Sequence, residues 1–568
     1  MNSIFKDEVS IVLSGEAGQG IQTIEKLLTK ILKDEGFNVF ATKEYMSRIR
    51  GGSNSTEIRV GTKPVRSHKH KIDVLLPLTK KSVEHLDDRV TEDTVVICQQ
   101  SELNVEQGKV VDVPIFDMAK DIGGKIYSNI VALGFVLGLF GIKEDNIPKH
   151  MKKFFGSKSE DIINNNIKAT EEGFEKAKKY YENEEIKIEI KNNEKVENNL
   201  LFNGSEAVAL GCLAGGCDSI FSYPMTPGSG VLIAMAGFSE KFDDLLVEQA
   251  EDEIAAINMA VGGWYAGSRS MITTSGGGFA LMGEGISLAA MLETPVVAHI
   301  AQRPGPATGL PTRTAQEDLN LIMYAGHGEF PRAIFAPGKL EDGFSVAQNS
   351  FNLADKYQVP VFILTDQSFV DSYYNVEEFD LSEVKIEKQF VKTDKDYKRY
   401  ALTEDGISPR GIPGYGEGIV GVDSDEHDEA GHITEDLDLR NKMNEKRLSK
   451  LNALRENALE PELYGNENYK KILVSWGSNY YVAKEALDNL DNDSIALLHF
   501  TQVYPIADKA NEYLEKAEEI IVMENNATGQ FEKIMQLETG FKADHKLLKY
   551  NGMPFAVDEL TDELKKLI

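Results

Sequence analysis

The sequence predicts an α/β fold made of three α/β domains, and two observations indicate this class. Short apolar segments typical of buried strands alternate with longer segments typical of helices along most of the 568 residues. Glycine-rich turns connect several strands to the helices that follow them, as in parallel α/β units. At roughly 100–200 residues per domain, this length allows about three or four domains.

The first domain is predicted over residues 1–185. It opens with an apolar strand at 8–13, the turn GEAGQG, the helical stretch IQTIEKLLTKILKDEG and a second strand, FNVFAT. This order is that of a parallel α/β unit. Further strands are predicted at IDVLLPL, TVVICQ and KVVDVP. The polar and charged stretch 186–200 has few apolar residues to bury and therefore predicts a linker.

The second domain is predicted over residues 201–375, where the strands SIFSYP, SMITT, PVVAHIAQ and PVFILTD alternate with helices. A charge-rich connecting insert follows at 376–466. A third α/β domain is predicted over 467–568, because KILVSWGSN, SIALLHF and EEIIVMENN again alternate with helical stretches.

The composition excludes several function classes. The net charge of −30, from 91 acidic and 61 basic residues, is opposite to that of a nucleic-acid-binding protein. No apolar run reaches the length of a membrane span and no signal peptide is evident, so we expect a cytoplasmic protein without a membrane segment. The three cysteines, Cys98, Cys212 and Cys217, are too few for a four-cysteine iron–sulfur cluster and suit packing roles in a reducing compartment. A metal or redox pair is the alternative for Cys212 and Cys217, which lie five residues apart.

Two short motifs are candidates for phosphate or metal binding. GEAGQG, with Gly15, Gly18 and Gly20, lies at a predicted strand-to-helix turn, so either a phosphate-bearing ligand or merely a tight turn explains it. Its spacing is not the G-x-G-x-x-G of a dinucleotide fold and no Walker lysine follows, which disfavours NAD and ATP. EHDEAGH places two histidines five residues apart, not the four of a zinc helix, and predicts a solvated loop without metal.

Two loops after predicted strands are candidates for ligand binding. SYPMTPGSG, which holds Thr226 between two prolines, is explained either as a rigid turn or as a ligand loop. QRPGPATGLPTRTAQEDL carries Arg303 and Arg313 as its only cations. Arginine can bind a carboxylate bidentately, so a carboxylate clamp is one interpretation of this loop and surface ion pairs are the other.

Four acidic residues, Glu248, Glu251, Asp252 and Glu253, precede an apolar helical stretch. Asp252 and Glu253 suit the first helical turn, where negative charge interacts favourably with the helix dipole. Glu251 lies three residues before Ile254, on the stripe that we expect to be buried. Burial of an unpaired carboxylate is unfavourable by several kcal/mol, so a buried Glu251 implies a partner or a chemical role.

Taken together, SYPMTPGSG, QAEDE, TTSGGGFALMGEGISLAAMLETPVV and RPGPATGLPTRT resemble the alpha subunit of the 2-oxoacid:ferredoxin oxidoreductases. The first domain, with GEAGQG and SRIRGGSNS, is similar to the gamma subunit of the same enzymes, fused ahead of alpha. The insert, with TEDGISPRGIPG and SDEHDEAGHITED, resembles that of the 2-oxoglutarate-type members. The resemblance implies a gamma-type Rossmann-like domain, a thiamine-diphosphate pyrimidine-binding domain and a transketolase C-terminal-like domain.

The same resemblance implies oxidative decarboxylation of a 2-oxoacid to acyl-CoA, CO2 and reduced ferredoxin. 2-Oxoglutarate is favoured, and pyruvate or branched-chain 2-oxoacids are the alternatives. Glu251 would approach N1′ of the aminopyrimidine of thiamine diphosphate, with Tyr223 and Pro224 also at the cofactor. Thr226 and Arg313 would hold the substrate carboxylate, and the gamma-type domain, with its GEAGQG turn, would cover coenzyme A.

Glu248 and Glu253 are alternatives for the position at N1′, and Arg303 is an alternative for the substrate arginine. The chain lacks both a G-D-G…N motif for diphosphate and magnesium and clustered cysteines. We therefore expect a beta subunit that brings the diphosphate site, Mg2+ and a 4Fe–4S cluster, in a dimer of heterodimers. A non-catalytic alpha-like subunit and a nucleotide-dependent dehydrogenase are the competing hypotheses.

Overall fold

The computed structural model describes residues 3–47, 52–382 and 384–568 of the chain. It divides into two compact units. Unit 1 comprises Met1–Phe202, Ser372–Glu378 and Ala556–Ile568, and unit 2 comprises Asn203–Asp371 and Phe379–Phe555. Both units consist of sheets covered by helices, which confirms the predicted α/β class. The predicted boundaries of the three domains stay predictions.

The strands, in chain order, are β1 (Ser3–Phe5), β2 (Glu8–Glu16), β3 (Asn38–Glu44), β4 (Ser53–Gly61), β5 (Val74–Pro77), β6 (Val95–Cys98), β7 (Lys109–Asp112), β8 (Ile186–Ile188), β9 (Leu200–Asn203), β10 (Ser219–Ser222), β11 (Leu246–Gln249), β12 (Ser270–Thr274), β13 (Val296–Gln302), β14 (Ala333–Phe335), β15 (Pro360–Asp366), β16 (Tyr373–Val376), β17 (Phe390–Thr393), β18 (Arg410–Gly416), β19 (Glu462–Tyr464), β20 (Lys471–Trp476), β21 (Ile495–Phe500), β22 (Gln502–Tyr504), β23 (Glu519–Glu524) and β24 (His545–Leu548).

The α-helices are α1 (Ile21–Asp34), α2 (Lys80–His85), α3 (Gln100–Leu103), α4 (Ile115–Ile122), α5 (Ser128–Leu139), α6 (Ile147–Phe155), α7 (Glu160–Glu182), α8 (Glu194–Glu197), α9 (Gly204–Ala214), α10 (Ser229–Ser239), α11 (Glu253–Tyr265), α12 (Gly276–Leu281), α13 (Gly283–Met291), α14 (Leu319–Met323), α15 (Leu340–Tyr357), α16 (Gln367–Asp371), α17 (Leu437–Glu456), α18 (Tyr480–Leu490), α19 (Lys509–Lys516), α20 (Gln530–Thr539) and α21 (Val557–Lys565).

Unit 1 is built on an eight-stranded mixed sheet in the order β7-β6-β5-β2-β4-β3-β16-β9. β2, α1 and β3 form the predicted strand–helix–strand unit. β4, which the sequence does not predict, lies between β2 and β3 and pairs antiparallel with both. Its sequence is polar, yet Glu57 and Arg59 are buried because each has an ionic partner. Arg89 lies 2.5 Å from the Glu57 carboxylate, and Arg59 lies 2.6 Å from that of Glu8.

The stretch 186–200, predicted as a linker with little to bury, packs on unit 1. β8 pairs parallel with β1, and Ile186, Ile188 and Val196 are buried. The Lys33 ammonium group donates a hydrogen bond to the Glu197 carbonyl at 2.8 Å. The expectation of little burial is wrong because isoleucines alternate with charged residues in this stretch, which gives a short strand one apolar face.

Unit 2 contains a seven-stranded sheet in the order β11-β10-β12-β13-β15-β14-β22. Neighbouring strands are parallel except β14 and β22, which are antiparallel. β11 lies on one side of β10, whereas β12 and β13 lie on the other, so the chain reverses its direction of travel across the sheet between β10 and β12. Such a reversal opens a crevice at the carboxyl ends of the two strands.

A five-stranded sheet, in the order β19-β21-β20-β23-β24, belongs to the same unit. One continuous hydrophobic cluster joins the two sheets and contains Ile334 of β14 and Trp476 of β20. The predicted insert is attached to this core through α17. Lys446 and Lys450 lie 2.7 and 2.5 Å from the two carboxylate oxygens of Glu293, and all three side chains are buried.

Candidate active site

The crevice of the seven-stranded sheet is formed by the segments that follow β10 and β12. The Ser222 hydroxyl at the end of β10 donates a hydrogen bond to the Thr273 carbonyl of β12. The Thr273 hydroxyl donates to the Gly228 carbonyl at 3.0 Å. A Cβ atom at Gly228 would lie 2.4 Å from the Thr274 carbonyl oxygen, so only glycine lets this loop pack so close to β12. The loop that holds Thr226 is therefore fixed at the crevice.

Glu253 is a buried carboxylate at the start of α11, directly beside the crevice. The helix begins at Glu253, and the Asp252 side chain caps it by accepting a hydrogen bond from the Ala255 N–H at 2.8 Å. Glu253 is 4% exposed, and its Oε1 atom has no hydrogen-bond partner among the described residues. A buried carboxylate oxygen without a partner is unfavourable, so its presence points to a ligand that completes the hydrogen bond.

Glu251, the predicted catalytic carboxylate, is exposed in this chain. The expectation that Glu251 lies on the buried stripe of the helix is wrong, because the buried acidic residue is Glu253, two positions later. Ile254 and Asn258, which share its helical phase, are also exposed, whereas the buried stripe begins at Glu253 and continues through Ala256. The sequence pattern places the stripe wrongly because small residues of the helix itself occur on all of its faces. The apolar face is therefore poorly defined in the sequence. The catalytic role of Glu251 stays a prediction.

The stretch SGGG, residues 275–278, leads from β12 into the first turn of α12 and lies between two carboxyl groups. A Cβ atom at Gly278 would lie 2.7 Å from Glu253 Oε1 and 2.2 Å from the Thr274 hydroxyl. A Cβ atom at Gly276 would lie 2.2 Å from Asp318 Oδ2. The two glycines therefore provide the space that both carboxyl groups occupy.

Thr226 and Arg303 are brought together by the fold. Thr226 is partly buried after β10, and Arg303 follows β13 directly. An Arg303 guanidinium N–H donates a hydrogen bond to the Thr226 carbonyl at 2.6 Å. Tyr223 and Pro224, the predicted cofactor contacts, are exposed at the end of β10 on the same edge of the sheet. Glu248, an alternative to Glu251, lies exposed in the edge strand β11.

Arg313, the predicted substrate arginine, is partly buried in the loop between β13 and α14. One of its guanidinium N–H groups lies 3.3 Å from the Met553 sulfur, and its stem packs against Gly552. The hydroxyl of the next residue, Thr314, donates to Asp366 Oδ1 at 3.2 Å. This bond ties the loop to the carboxyl end of β15, so Arg313 stands at the same edge of the sheet as Thr226.

Asp318 is a functional candidate that the sequence patterns do not single out. It precedes α14 but makes no capping bond with its side chain, and its Oδ2 atom is buried without a hydrogen-bond partner among the described residues. Burial, together with the nearby charge of Glu317, raises the pKa of Asp318 to about 6, while Arg303 acts in the opposite direction. The only signal in the sequence is an acid-rich QED that follows a loop with two arginines.

The GEAGQG turn of unit 1 borders a cavity of about 660 Å3. Gly18 and Gly20 have positive φ angles of 93° and 72°, and Gly20 precedes α1 without a side-chain cap. The Asn129 amide lies against Gly20, where a Cβ atom would be 2.4 Å from its nitrogen. Asn129 is 8% exposed, and its Oδ1 atom has no partner in the described part of the chain. Residues 48–51 of the predicted motif SRIRGGSNS lie outside the described residues.

No group of three or more potential metal-binding side chains occurs in residues 3–47, 52–382 and 384–568. Among the helices that these ranges contain, none combines the length and apolar character needed to span a bilayer. The thiols of Cys98, Cys212 and Cys217 are buried, and burial raises the pKa of Cys98 to about 11.

Two family models match the chain. The model described as "Pyruvate ferredoxin/flavodoxin oxidoreductase" matches residues 10–176. The model described as "Pyruvate flavodoxin/ferredoxin oxidoreductase, thiamine diP-bdg" matches residues 210–446, which include the crevice.

The chain also resembles named proteins, two of them over 99% of its length. It is 31% identical to the 2-oxoacid:ferredoxin oxidoreductase subunit alpha of Sulfolobus sp, over 99% of this chain and 97% of that relative. It is 31% identical to the 2-oxoglutarate synthase subunit KorA of Archaeoglobus fulgidus, over 58% of this chain and 88% of that relative. The solved structure of 2-oxoglutarate:ferredoxin oxidoreductase from Magnetococcus marinus, with 2-oxoglutarate, coenzyme A and succinyl-CoA bound, gives a TM-score of 0.92 at 28% identity and 99% coverage of both chains. The chain belongs to the family of 2-oxoacid:ferredoxin oxidoreductase alpha subunits.

Proposed function

We propose that this alpha subunit, together with a partner subunit, converts 2-oxoglutarate and coenzyme A to succinyl-CoA and CO2 and passes the electrons to ferredoxin. The observation that carries this proposal is the buried Glu253 carboxylate at the crevice, whose Oε1 atom has no hydrogen-bond partner in the described part of the chain. The names of two relatives support 2-oxoglutarate over other 2-oxoacids, because both act on that compound. Pyruvate and branched-chain 2-oxoacids are the alternatives that the substrate assay separates.

The crevice fits the aminopyrimidine end of thiamine diphosphate. Glu253 Oε1 lacks a hydrogen-bond partner among the described residues, and Gly278 gives this carboxylate the room to stand at the crevice. When bound, thiamine diphosphate supplies a ring carbon that becomes a nucleophile after loss of its proton and then accepts the electron pair left by decarboxylation. Tyr223 and Pro224, at the end of β10, would border the same ring.

Glu253 would hold a proton at N1′ of the aminopyrimidine. A carboxylate removed from water interacts strongly with the single group that faces it, so the ring nitrogen would be its main partner. Glu251 stays the alternative, since a partner subunit that covers the crevice would also remove it from water. The two residues differ in one testable respect, because only Glu253 is buried by this chain itself.

Thr226 and Arg313 would bind the substrate carboxylate. Arg313 can present two N–H groups to a carboxylate, and the Thr226 hydroxyl can donate a further hydrogen bond. Arg303 is the weaker candidate, because one of its N–H groups already serves the Thr226 carbonyl. Both arginines act against the net charge of −30, which otherwise disfavours an anionic substrate.

Unit 1 would cover coenzyme A. Gly18 and Gly20 of the turn after β2, the uncapped start of α1 and the Asn129 side chain border one cavity of about 660 Å3, whereas Gly15 lies within β2. A helix N-terminus favours phosphate, and coenzyme A carries several phosphate groups. The role of Gly18 and Gly20 is therefore proposed as phosphate binding rather than as a tight turn alone.

A beta subunit would bring the diphosphate site, Mg2+ and the 4Fe–4S cluster. Ile254 of α11 and Ile233 of α10 are 52% and 70% exposed beside the crevice, which is unusual for residues next to a site that must exclude water. We place the enzyme in the cytoplasm, since free, buried cysteines suit a reducing compartment. The assembly with the beta subunit is proposed as a dimer of heterodimers.

The assembled enzyme tests the proposal with four 2-oxoacids and methyl viologen as electron acceptor. We expect coenzyme-A-dependent reduction that is fastest with 2-oxoglutarate. Glu253→Gln should lower kcat by about 100-fold or more, as for loss of a general acid–base group, whereas Glu251→Gln is the matched control and should act weakly. A large effect of Glu251→Gln with little effect of Glu253→Gln would exchange their roles, and full activity of both variants would mean a non-catalytic subunit.

A further inference from the structure

His299 is a polar residue in the middle of a strand that lies in an apolar interior. It belongs to β13, every residue of which is buried, and its own side chain is completely excluded from water. Central strands of a parallel sheet typically consist of valine, isoleucine and leucine. Burial lowers the pKa of His299 to about 3, so its ring is neutral near pH 7. A buried polar ring of this kind is unfavourable unless its two nitrogens have hydrogen-bond partners.

Two threonines on the neighbouring strands provide these partners. Thr273 of β12 is the register partner of His299, and its hydroxyl oxygen lies 2.8 Å from Nδ1 of the ring. Thr365 of β15 lies two residues after Ile363, the register partner of His299 on the other side, and its hydroxyl oxygen lies 2.8 Å from Nε2. Register partners, and residues two apart on one strand, share a face of the sheet. The three side chains therefore form one line across β15, β13 and β12.

Thr273 connects this line to the Thr226 loop, by which we mean residues 222–228. The Thr273 hydroxyl donates to the Gly228 carbonyl at 3.0 Å, and the Thr273 carbonyl accepts a hydrogen bond from the Ser222 hydroxyl. Ser222 ends β10 and Gly228 precedes α10, so one residue of β12 is bonded to both ends of the Thr226 loop. The position of Thr226 therefore depends on Thr273 and on the group that orients the Thr273 hydroxyl.

The directions of these hydrogen bonds follow from the number of protons. A carbonyl oxygen can only accept, so the single hydroxyl proton of Thr273 points at Gly228 and not at the ring. Thr273 Oγ1 must then accept from the ring, which places the one N–H of the neutral imidazole on Nδ1. Nε2 carries a lone pair and accepts from the Thr365 hydroxyl. All bonds thus run in one direction, from Thr365 through His299 and Thr273 to the Gly228 carbonyl.

We propose that His299 is a positioning residue whose Nδ1–H fixes the Thr273 hydroxyl and, through it, holds the Thr226 loop in the conformation that binds substrate. The inference rests on the proposed function, because Thr226 is there assigned to the substrate carboxylate. An apolar residue at position 299 would suit the interior of the sheet better but would leave Thr273 Oγ1 without a donor. The Thr273 hydroxyl could then rotate away from Gly228.

The 15N spectrum of the full chain, labelled in its histidines, tests the position of the proton directly. We expect one ring, absent from the spectrum of His299→Asn, in which Nδ1 is protonated and Nε2 is not. The tautomer has to be measured in this way because hydrogen positions follow only indirectly from the positions of heavy atoms. A proton on Nε2 of His299 overturns the proposal, and this result does not depend on enzymatic activity.

Kinetics of the assembled enzyme test the effect on substrate binding. Thr273→Val and His299→Leu should each raise the KM for the best 2-oxoacid about 10-fold with a smaller change in kcat, because the hydroxyl that binds the carboxylate is no longer held in place. The double variant should show about the same rise and not one of about 100-fold, since the two residues act through one bond. Thr393→Val is the matched control and should leave KM unchanged. Its hydroxyl is also buried, but it bonds to the Tyr415 carbonyl of the insert at 3.3 Å.

One further substitution separates positioning from packing. The amide nitrogen of asparagine can occupy the place of Nδ1 and donate to Thr273, although asparagine fills less space than leucine. His299→Asn should therefore keep KM within about 3-fold of the wild-type value, because a donor remains at that place. Equal rises in KM for the asparagine and leucine variants, or an unchanged KM for Thr273→Val, in an otherwise active enzyme refute only this inference. A wild-type enzyme that turns over no 2-oxoacid refutes the proposed function instead.

Discussion

At the residue scale, two glycines leave the space that two acidic side chains at the crevice occupy. Gly278 leaves room for Glu253, and Gly276 leaves room for Asp318. The neighbouring Gly277 has no such task, because a Cβ atom there would meet only the Ala307 carbonyl oxygen at 3.8 Å. Substitution by alanine would therefore disturb a carboxyl group at Gly276 and Gly278 but not at Gly277.

Gly278→Ala is expected to displace Glu253 and lower kcat by about 10- to 100-fold, since a shift of about 1 Å in a catalytic group has effects of this size. The new methyl group would lie 2.7 Å from Glu253 Oε1, which must move. Viologen reduction by the assembled enzyme measures the effect, with Gly277→Ala as the control. Equal activity of the two alanine variants would show that the glycines are interchangeable and that Glu253 is not constrained by the turn.

At the element scale, α17 is fixed to the rest of unit 2 by a buried charge cluster. Glu293 lies between Lys446 and Lys450, and the Arg399 side chain donates to the Glu293 carbonyl at 2.6 Å. Burial lowers the pKa of Lys450 to about 8, while the Glu293 charge opposes this shift. The attraction to two ammonium groups lowers the pKa of Glu293 despite its burial. Glu293 thus joins α17 and Arg399 of the insert to the rest of unit 2, alongside other ion pairs such as that of Arg455 with Glu538 at 2.7 Å.

Glu293→Gln should destabilise unit 2 by about 3–5 kcal/mol, the range observed when one partner of a buried ion pair is removed. Two buried lysines would keep their charges without a counter-ion, so α17 should open before the rest of the unit. Hydrogen exchange of α17 amides measures this opening. Glu445→Gln, on an exposed position of the same helix, is the control and should leave exchange unchanged. Uniform protection of α17 in Glu293→Gln would contradict the argument.

At the scale of the whole molecule, local sequence patterns predict the class of fold and the location of the site. They do not predict contacts between segments that are far apart in the sequence. The strands and glycine turns of the crevice are contiguous segments, so their order predicts the α/β class and the loop that carries Thr226. α21 belongs to unit 1 through contacts more than 480 positions apart, such as that of the His70 N–H with Asp558 Oδ1 at 2.9 Å. No local pattern predicts such a contact.

The burial of Glu253 instead of Glu251 has a similar explanation. Both residues lie in QAEDE, and the sequence does not show at which of them the helix begins. The choice depends on the capping bond of Asp252 and on the space beside Gly278, which are properties of the folded chain. Asp318 was missed for the same reason, since Gly276, against which its carboxyl group packs, is distant in sequence.

The association of the chain with its partner subunit can be tested at the exposed apolar residues beside the crevice. Ile254 is 52% exposed one position after Glu253, so a partner that completes the site must cover it. Ile254→Asp should weaken copurification and abolish viologen reduction, because a carboxylate would be buried in the interface. The melting temperature of the isolated chain should not change, since the side chain is already exposed. Ile433→Asp, at a position that is 64% exposed on the insert, is the control. Normal assembly of Ile254→Asp, or activity of the isolated chain, would show that the partner binds elsewhere or is not needed.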